Sequence, residues 1–115
     1  MQKPDAVRLR HMLEAARDAV SFARGRTRQE LDQDRMFAFA LVRCIEVIGE
    51  AAARVSSETK AGYASIPWAH VIGMRNWLIH AYFDISLDRL WDTITDDLPP
   101  LIAELEKLPL QDAEG

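Results

Sequence analysis

The residues best suited to chemistry lie together in Arg75-Asn76-Trp77-Leu78-Ile79-His80-Ala81-Tyr82. This stretch holds a permanent cation, an amide, an imidazole and a phenol among apolar neighbours. A histidine can take a proton from a ribose 2′-hydroxyl or give one to a leaving oxygen. An arginine can grip a phosphate through two N–H groups and offset the charge that builds in a transition state. Together they suit cleavage of RNA without a metal. DNA lacks the attacking hydroxyl, so the expected substrate is RNA and the expected product a 2′,3′-cyclic phosphate or its hydrolysis product.

At about 100° per residue on a helix, Asn76 and His80 share a face, and so do Arg75 and Tyr82. His80 lies roughly 140° around from Arg75, so the four groups form a wide arc. A second copy of the helix across a symmetric interface would bring the two faces together. Each residue also has a plain structural role open to it: a hydrogen-bonded histidine, an ion-paired arginine, a tyrosine covering the edge of a core.

Other side chains add little chemistry. Arg43, Glu46, Glu50 and Arg54 fall on one side of a long helix. They are either a solvated face, with Glu50 pairing to Arg54 one turn on, or a support in which Arg43 and Glu46 orient Arg75 or His80. His11 and His70 have no companions at metal-ligand spacing, and the single cysteine, Cys44, rules out multi-cysteine metal centres and intrachain disulfides. Cys44 sits on an apolar helix side and reads as core. No glycine-rich phosphate loop is present, and no metal or other cofactor is expected.

The elements that must carry these residues read as helices. Residues 5 to 24 form an amphipathic helix, with Asp5 able to cap it and Gly25 to stop it. Thr27 and Glu30 match a capping box for a short helix or turn. A long helix runs from about Gln33 to Ser56, its apolar side made by Phe37, Leu41, Cys44, Ile45, Ile48 and Ala52. Gly49 within it costs up to about 1 kcal/mol relative to alanine, which points to another backbone packed close there. Pro67 suits the first turn of a helix from Trp68 to Tyr82 or Phe83. Ser86 can cap a last helix from Leu87 to about Leu108, kinked at Pro99-Pro100. The expected fold is all-α, an antiparallel bundle of four main helices plus short helical turns, as one domain over residues 1–115 with a polar tail at 109–115.

Composition fits one globular domain, with 49% hydrophobic and 28% charged residues. No apolar run reaches the length of a membrane span, and Met1-Gln2-Lys3-Pro4-Asp5 shows no secretory pattern, so a cytoplasmic protein is expected. The net charge of −4 argues against a general nucleic-acid coat. The charge is nevertheless uneven. Residues 1 to 28 hold seven basic side chains against three acids, while the chain from Asp84 onward holds nine acids against Arg89 and Lys107. This is either a pair of solvated helix faces or a basic rim for RNA phosphates with an acidic tail.

The eight-residue stretch resembles the Arg-x4-His-x-Tyr signature of the HepT family in the HEPN superfamily. The resemblance extends to Arg43-Cys44-Ile45-Glu46-Val47-Ile48-Gly49-Glu50-Ala51, to Ile66-Pro67-Trp68 with Gly73-Met74-Arg75-Asn76, and to Trp91-Asp92-Thr93-Ile94 with Asp97-Leu98-Pro99. It covers most of residues 33 to 105. It implies an all-helical homodimer with two motifs facing a shared cleft. It also implies a metal-independent endoribonuclease that is the toxin of a type VII-like two-gene pair. The implied partner is a minimal nucleotidyltransferase antitoxin, MntA-like, that transfers AMP to the motif tyrosine. By position, Arg75 and His80 would be catalytic, Asn76 supporting and Tyr82 the modified residue. AMP there would set a bulky anion beside Arg75. The competing readings are a non-catalytic HEPN module that binds a nucleotide or a partner, and a purely structural dimerisation bundle. The RNA target, transfer or messenger, is not written in these residues.

Overall fold

Helix α1 spans Lys3–Ala23 in the computed structural model, which describes residues 1–80 and 86–110, with only the backbone of Leu78, Ile79 and His80. Pro4 occupies its first turn, where a missing N–H is harmless. Gly25 stands at φ 74° just past its end, a conformation that costs glycine nothing. The expected cap at Asp5 is not found. Gln2 is the N-cap, without a side-chain bond. Asp5 is one turn inside, 5% exposed, and its carboxylate accepts from Ser56 N–H (3.0 Å), Ser56 Oγ (2.6 Å) and Thr59 Oγ1 (2.7 Å). It ties the start of α1 to the chain more than 50 residues on, which local capping rules cannot see.

Half of the expected capping box forms: Thr27 N–H donates to Glu30 Oε2 at 2.6 Å, ahead of the short α2, Glu30–Gln33. Helix α3 covers Arg35–Arg54, shorter at both ends than expected. Asp34 caps it by accepting from Phe37 N–H at 3.1 Å. Its far end yields to Ser56, which caps α4, Ser57–Gly62. Because Asp5 meets Ser56 while Asp18 and Glu14 lie beside Cys44 and Arg43, α1 and α3 run antiparallel. Leu9, Met12, Leu41, Ile45 and Ile48 are fully buried between them and the later helices.

Helix α5, Trp68–His80, carries the motif. Pro67 stands just before it, its carbonyl accepting from Val71 N–H at 3.0 Å. The Trp68 indole donates to the carbonyls of Lys60 and Tyr63, both at 3.1 Å, and so pins the start of α5 to the end of α4. Val71 and Met74 enter the core. The expected continuation to Tyr82 or Phe83 falls outside the described residues.

The expected single last helix is instead divided. Ser86 caps α6, Leu87–Asp92, accepting from Arg89 N–H at 3.2 Å. A π-helical turn follows over Thr93–Asp97, and α7 covers Leu98–Glu106 with the prolines in its first turn. The reason is local. Pro99 and Pro100 cannot donate to carbonyls one turn back, and Leu98 N–H reaches Thr93 O across the wider turn. Leu90, Ile94, Leu98, Leu101 and Leu105 still form one buried stripe. The fold is all-α, with no strand among the described residues, and no helix is long and apolar enough to cross a membrane.

Candidate active site

Arg75 stands where α5 packs close against Gly49 of α3. A Cβ built on Gly49 of α3 would lie 2.5 Å from the Arg75 Cβ and 3.4 Å from its Cα and N. No other residue type fits there without moving α5. The glycine that weakens α3 locally is what lets α5 approach, as its position in the sequence suggested. Arg75 itself is half-buried and makes no ion pair among the described residues. Its guanidinium is therefore not committed to a carboxylate of the described residues.

Asn76, next along, is exposed. Trp77 is half-buried on the other side of α5, with the Arg89 guanidinium 4.4 Å above its ring, a cation–π contact that fixes α6 against α5. His80 is the last described residue of α5, five positions after Arg75. Tyr82 lies outside the described residues.

Arg43 and Glu46 pair with each other: Arg43 Nη1 stands 3.4 Å from Glu46 Oε2 and 4.0 Å from Glu50 Oε1. Both pairs are solvent-exposed, so each contributes little, of order 0–1 kcal/mol. Neither Arg43 nor Glu46 pairs with Arg75 among the described residues. Glu50 faces Arg43, two turns back, and not Arg54. The geometry thus brings Gly49 and Arg75 together and leaves Arg43 and Glu46 as neighbours on the same side of α3.

Cys44 is 8% exposed, and burial, with the nearby Asp18 carboxylate, pushes its thiol up to about 11. It is packing, as expected, and no nucleophile. His70 pairs with Asp97 at 3.1 Å on the surface. No three His, Cys, Asp or Glu side chains converge among the described residues.

Much of the basic N-terminal stretch is tied up in ion pairs. Arg17 meets Glu106 at 3.5 Å, Arg26 meets Glu30 and Asp34 at 3.2 and 3.0 Å, and Arg28 meets Asp32 and Asp88 at 3.2 and 2.6 Å. These three arginines brace α1, α2 and the later helices and do not form a rim. Composition could not separate them from Arg8, which donates to the Pro4 carbonyl and lies close enough to Asp5 to lower its carboxyl.

A helical bundle that seats an arginine, without an ion pair among the described residues, against a glycine, five residues before a histidine on the same helix, defines a class of small all-α domains with an Arg-x4-His motif. The chain belongs to the HepT-like ribonuclease family, whose description, Ribonuclease HepT-like, matches residues 12–108. It is similar to a protein of Methanocaldococcus jannaschii named "Putative RNase MJ1380", 33% identical over 83% of this chain and 87% of the relative. It is also similar to the "Probable ribonuclease HepT" of Thermococcus cleftensis, 40% identical over 65% of this chain and 68% of the relative. No solved structure gives a significant match.

Proposed function

We propose that this chain is a metal-independent endoribonuclease, the toxin of a HepT/MntA-like pair. The observation that carries this reading is the seat of Arg75 on Gly49, which holds a guanidinium unpaired among the described residues, in a chain of the HepT-like ribonuclease family.

In this reading Arg75 binds the scissile phosphate and stabilises its extra negative charge as the 2′-oxygen attacks. His80 removes the 2′-hydroxyl proton. The P–O bond to the 2′-oxygen forms, the bond to the 5′-oxygen breaks, and a second imidazole returns a proton to that oxygen. Two protonation roles and one histidine per motif favour a homodimer, in which His80 of the partner subunit supplies the second imidazole. Met36 and Phe39, 83% and 55% exposed, share one side of α3 with Arg43 and Glu50 and offer apolar surface for a second copy. Asn76, exposed beside Arg75, orients the phosphate. Arg43 and Glu46 support the site at longer range. Tyr82 is the residue to which an MntA-like nucleotidyltransferase attaches AMP, silencing the enzyme, and the pair works in the cytoplasm.

The test is tightly controlled expression of the chain beside Arg75→Ala and His80→Ala variants of equal helicity. Growth arrest with RNA cleavage that persists in a metal chelator, lost in both variants, supports the reading. Harmless expression of all three with intact RNA would leave instead a binding module that holds nucleotide or partner without cleavage. Mass spectrometry after co-expression with an active antitoxin checks Tyr82, and an unmodified tyrosine refutes that step.

A further inference from the structure

Gly49 grips α5 on one side, at Arg75. A helix gripped on one side only can still rock about that contact. Trp77 follows Arg75 by two residues, about 200° around the helix, and so leaves α5 on the opposite side. It is half-buried, packs against the core, and carries the Arg89 guanidinium 4.4 Å above its ring.

The partner that Arg89 takes is informative. It borders a hollow of about 380 Å³ whose wall includes Asp88, Asp92, Asp96 and Asp97. With those carboxylates around it, Arg89 makes no ion pair among the described residues and lies on the indole instead. Its own helix is firmly held. Leu90 is fully buried, Ser86 caps α6, and Asp88 accepts from Arg28 Nε at 2.6 Å. Arg28 lies between α1 and α2 and also pairs with Asp32. The stack therefore ties α5 to a helix that is fixed from elsewhere. It does so three residues before His80, about 4.5 Å of helix rise.

We propose that Arg89, acting through Trp77, is a positioning residue for His80. Two anchors on opposite sides of α5 stop the end of the helix from rocking. The proposal deepens the ribonuclease reading and rests on it. Arg89 touches no reacting atom. Loss of the stack shifts α5 from a set to a loosened position, and the rate falls with the set fraction. Phosphate affinity, carried by Arg75 on its own seat, does not follow.

The test compares the full chain with Arg89→Gln, with Arg89→Lys, and with Arg89→Gln made in a Trp77→Leu background, all at equal helicity. Two readouts are taken: amide hydrogen exchange along α5, and kcat and KM on a fluorescent single-stranded RNA. In Arg89→Gln, exchange at Leu78, Ile79 and His80 should quicken by about two- to fivefold, the range set by one exposed cation–π contact, and kcat should fall by up to the same factor. Exchange at Val71 and Ile72, and KM, should stay as in the wild type. Arg89→Lys keeps the cation and should restore most of the loss. Arg89→Gln should add nothing once Trp77 is leucine, since the stack is already gone. Arg17→Gln, which breaks the distant Glu106 pair, should leave both readouts unchanged. Unchanged exchange at the end of α5 overturns the anchor and leaves the ribonuclease reading standing if the wild type cleaves. Faster exchange with an unchanged kcat, or a loss confined to KM, makes the stack a structural contact only and overturns the proposal. If the wild type cleaves no RNA, the ribonuclease reading falls and takes the role of Arg89 in catalysis with it.

Discussion

Gly49→Ala probes the seat of Arg75 with one methyl group. The new carbon would stand 2.5 Å from the Arg75 Cβ, where ordinary contact begins near 3.4 Å. Because the neighbour is a Cβ on a helix backbone and not a flexible tip, α5 must retreat by about 1 Å. Two energies oppose each other. Alanine improves the propensity of α3 by up to about 1 kcal/mol, and overpacking of this kind costs about 1–3 kcal/mol. The net loss is then between zero and about 3 kcal/mol, a fall in Tm of at most about 12 °C for a chain of this size. The catalytic cost is larger in proportion, since a displacement of about 1 Å at a reacting group can cost on the order of 10²-fold in rate. The assay is cleavage of a fixed RNA at a temperature where every variant is folded. Ile94→Val serves as a control, removing one buried methylene on the π-helical turn, outside both α3 and α5, at a cost of about 0.5–1.5 kcal/mol. Wild-type rates in Gly49→Ala, or an equal loss in Ile94→Val, would refute the idea that Gly49 sets the position of Arg75.

Two further outcomes follow from buried groups. Asp5→Asn keeps the shape but loses charge-assisted bonds from Ser56 and Thr59, and should destabilise the fold by about 2–4 kcal/mol in urea unfolding. The Ser56 and then the Thr59 hydroxyl hold the Asp5 carboxyl below its ordinary 3.8. Its folded value is depressed, so its stabilisation is complete above about pH 4 and is lost as pH falls through the lower folded value. The wild type should therefore lose stability faster than Asp5→Asn below pH 4, and parallel acid limbs would count against this. Cys44, with its thiol raised to about 11 by burial, should be on the order of one part in a thousand thiolate at pH 8. Its labelling by a disulfide reagent should wait for unfolding, and reaction at the rate of a free thiol would contradict the buried site.

What the sequence disclosed, and what it withheld, divides by range. Helix periodicity and the Pro67, Ser86 and Gly25 signals are local, and they located the main helices to within a few residues. Gly49 was legible as an anomaly because a glycine in a good helix needs a reason, though which residue pressed on it could not be read. Asp5 was misread as a cap because its partners lie 51 and 54 residues away. Whether the N-terminal arginines were a solvated face or a basic rim stayed open, because composition does not record that Glu106, Asp34 and Asp88 fold back onto three of them. The break before Pro99 was foreseen as a kink, but the π-turn that absorbs it depends on which carbonyl Leu98 can reach.

These long-range contacts share a consequence for the site. Asp5 fixes α1 to the start of α4, Trp68 fixes the start of α5 to α4, and Gly49 fixes the middle of α5 to α3. Each anchor lies N-terminal to the motif histidine or on a different helix. Arg75 is thus held by the protomer's own packing, three turns or fewer from Trp68. The Arg89 stack on Trp77 adds an anchor three residues before His80, on the other side of α5 from the Gly49 seat. In the proposed homodimer the partner subunit would supply the second imidazole of the reaction. On that reasoning dimer formation should sharpen the action of His80 more than phosphate binding by Arg75. Dilution of the protein into monomers should therefore lower the cleavage rate more steeply than it lowers affinity for uncleavable RNA. An equal fall in both would show that the second copy does no more than add binding surface.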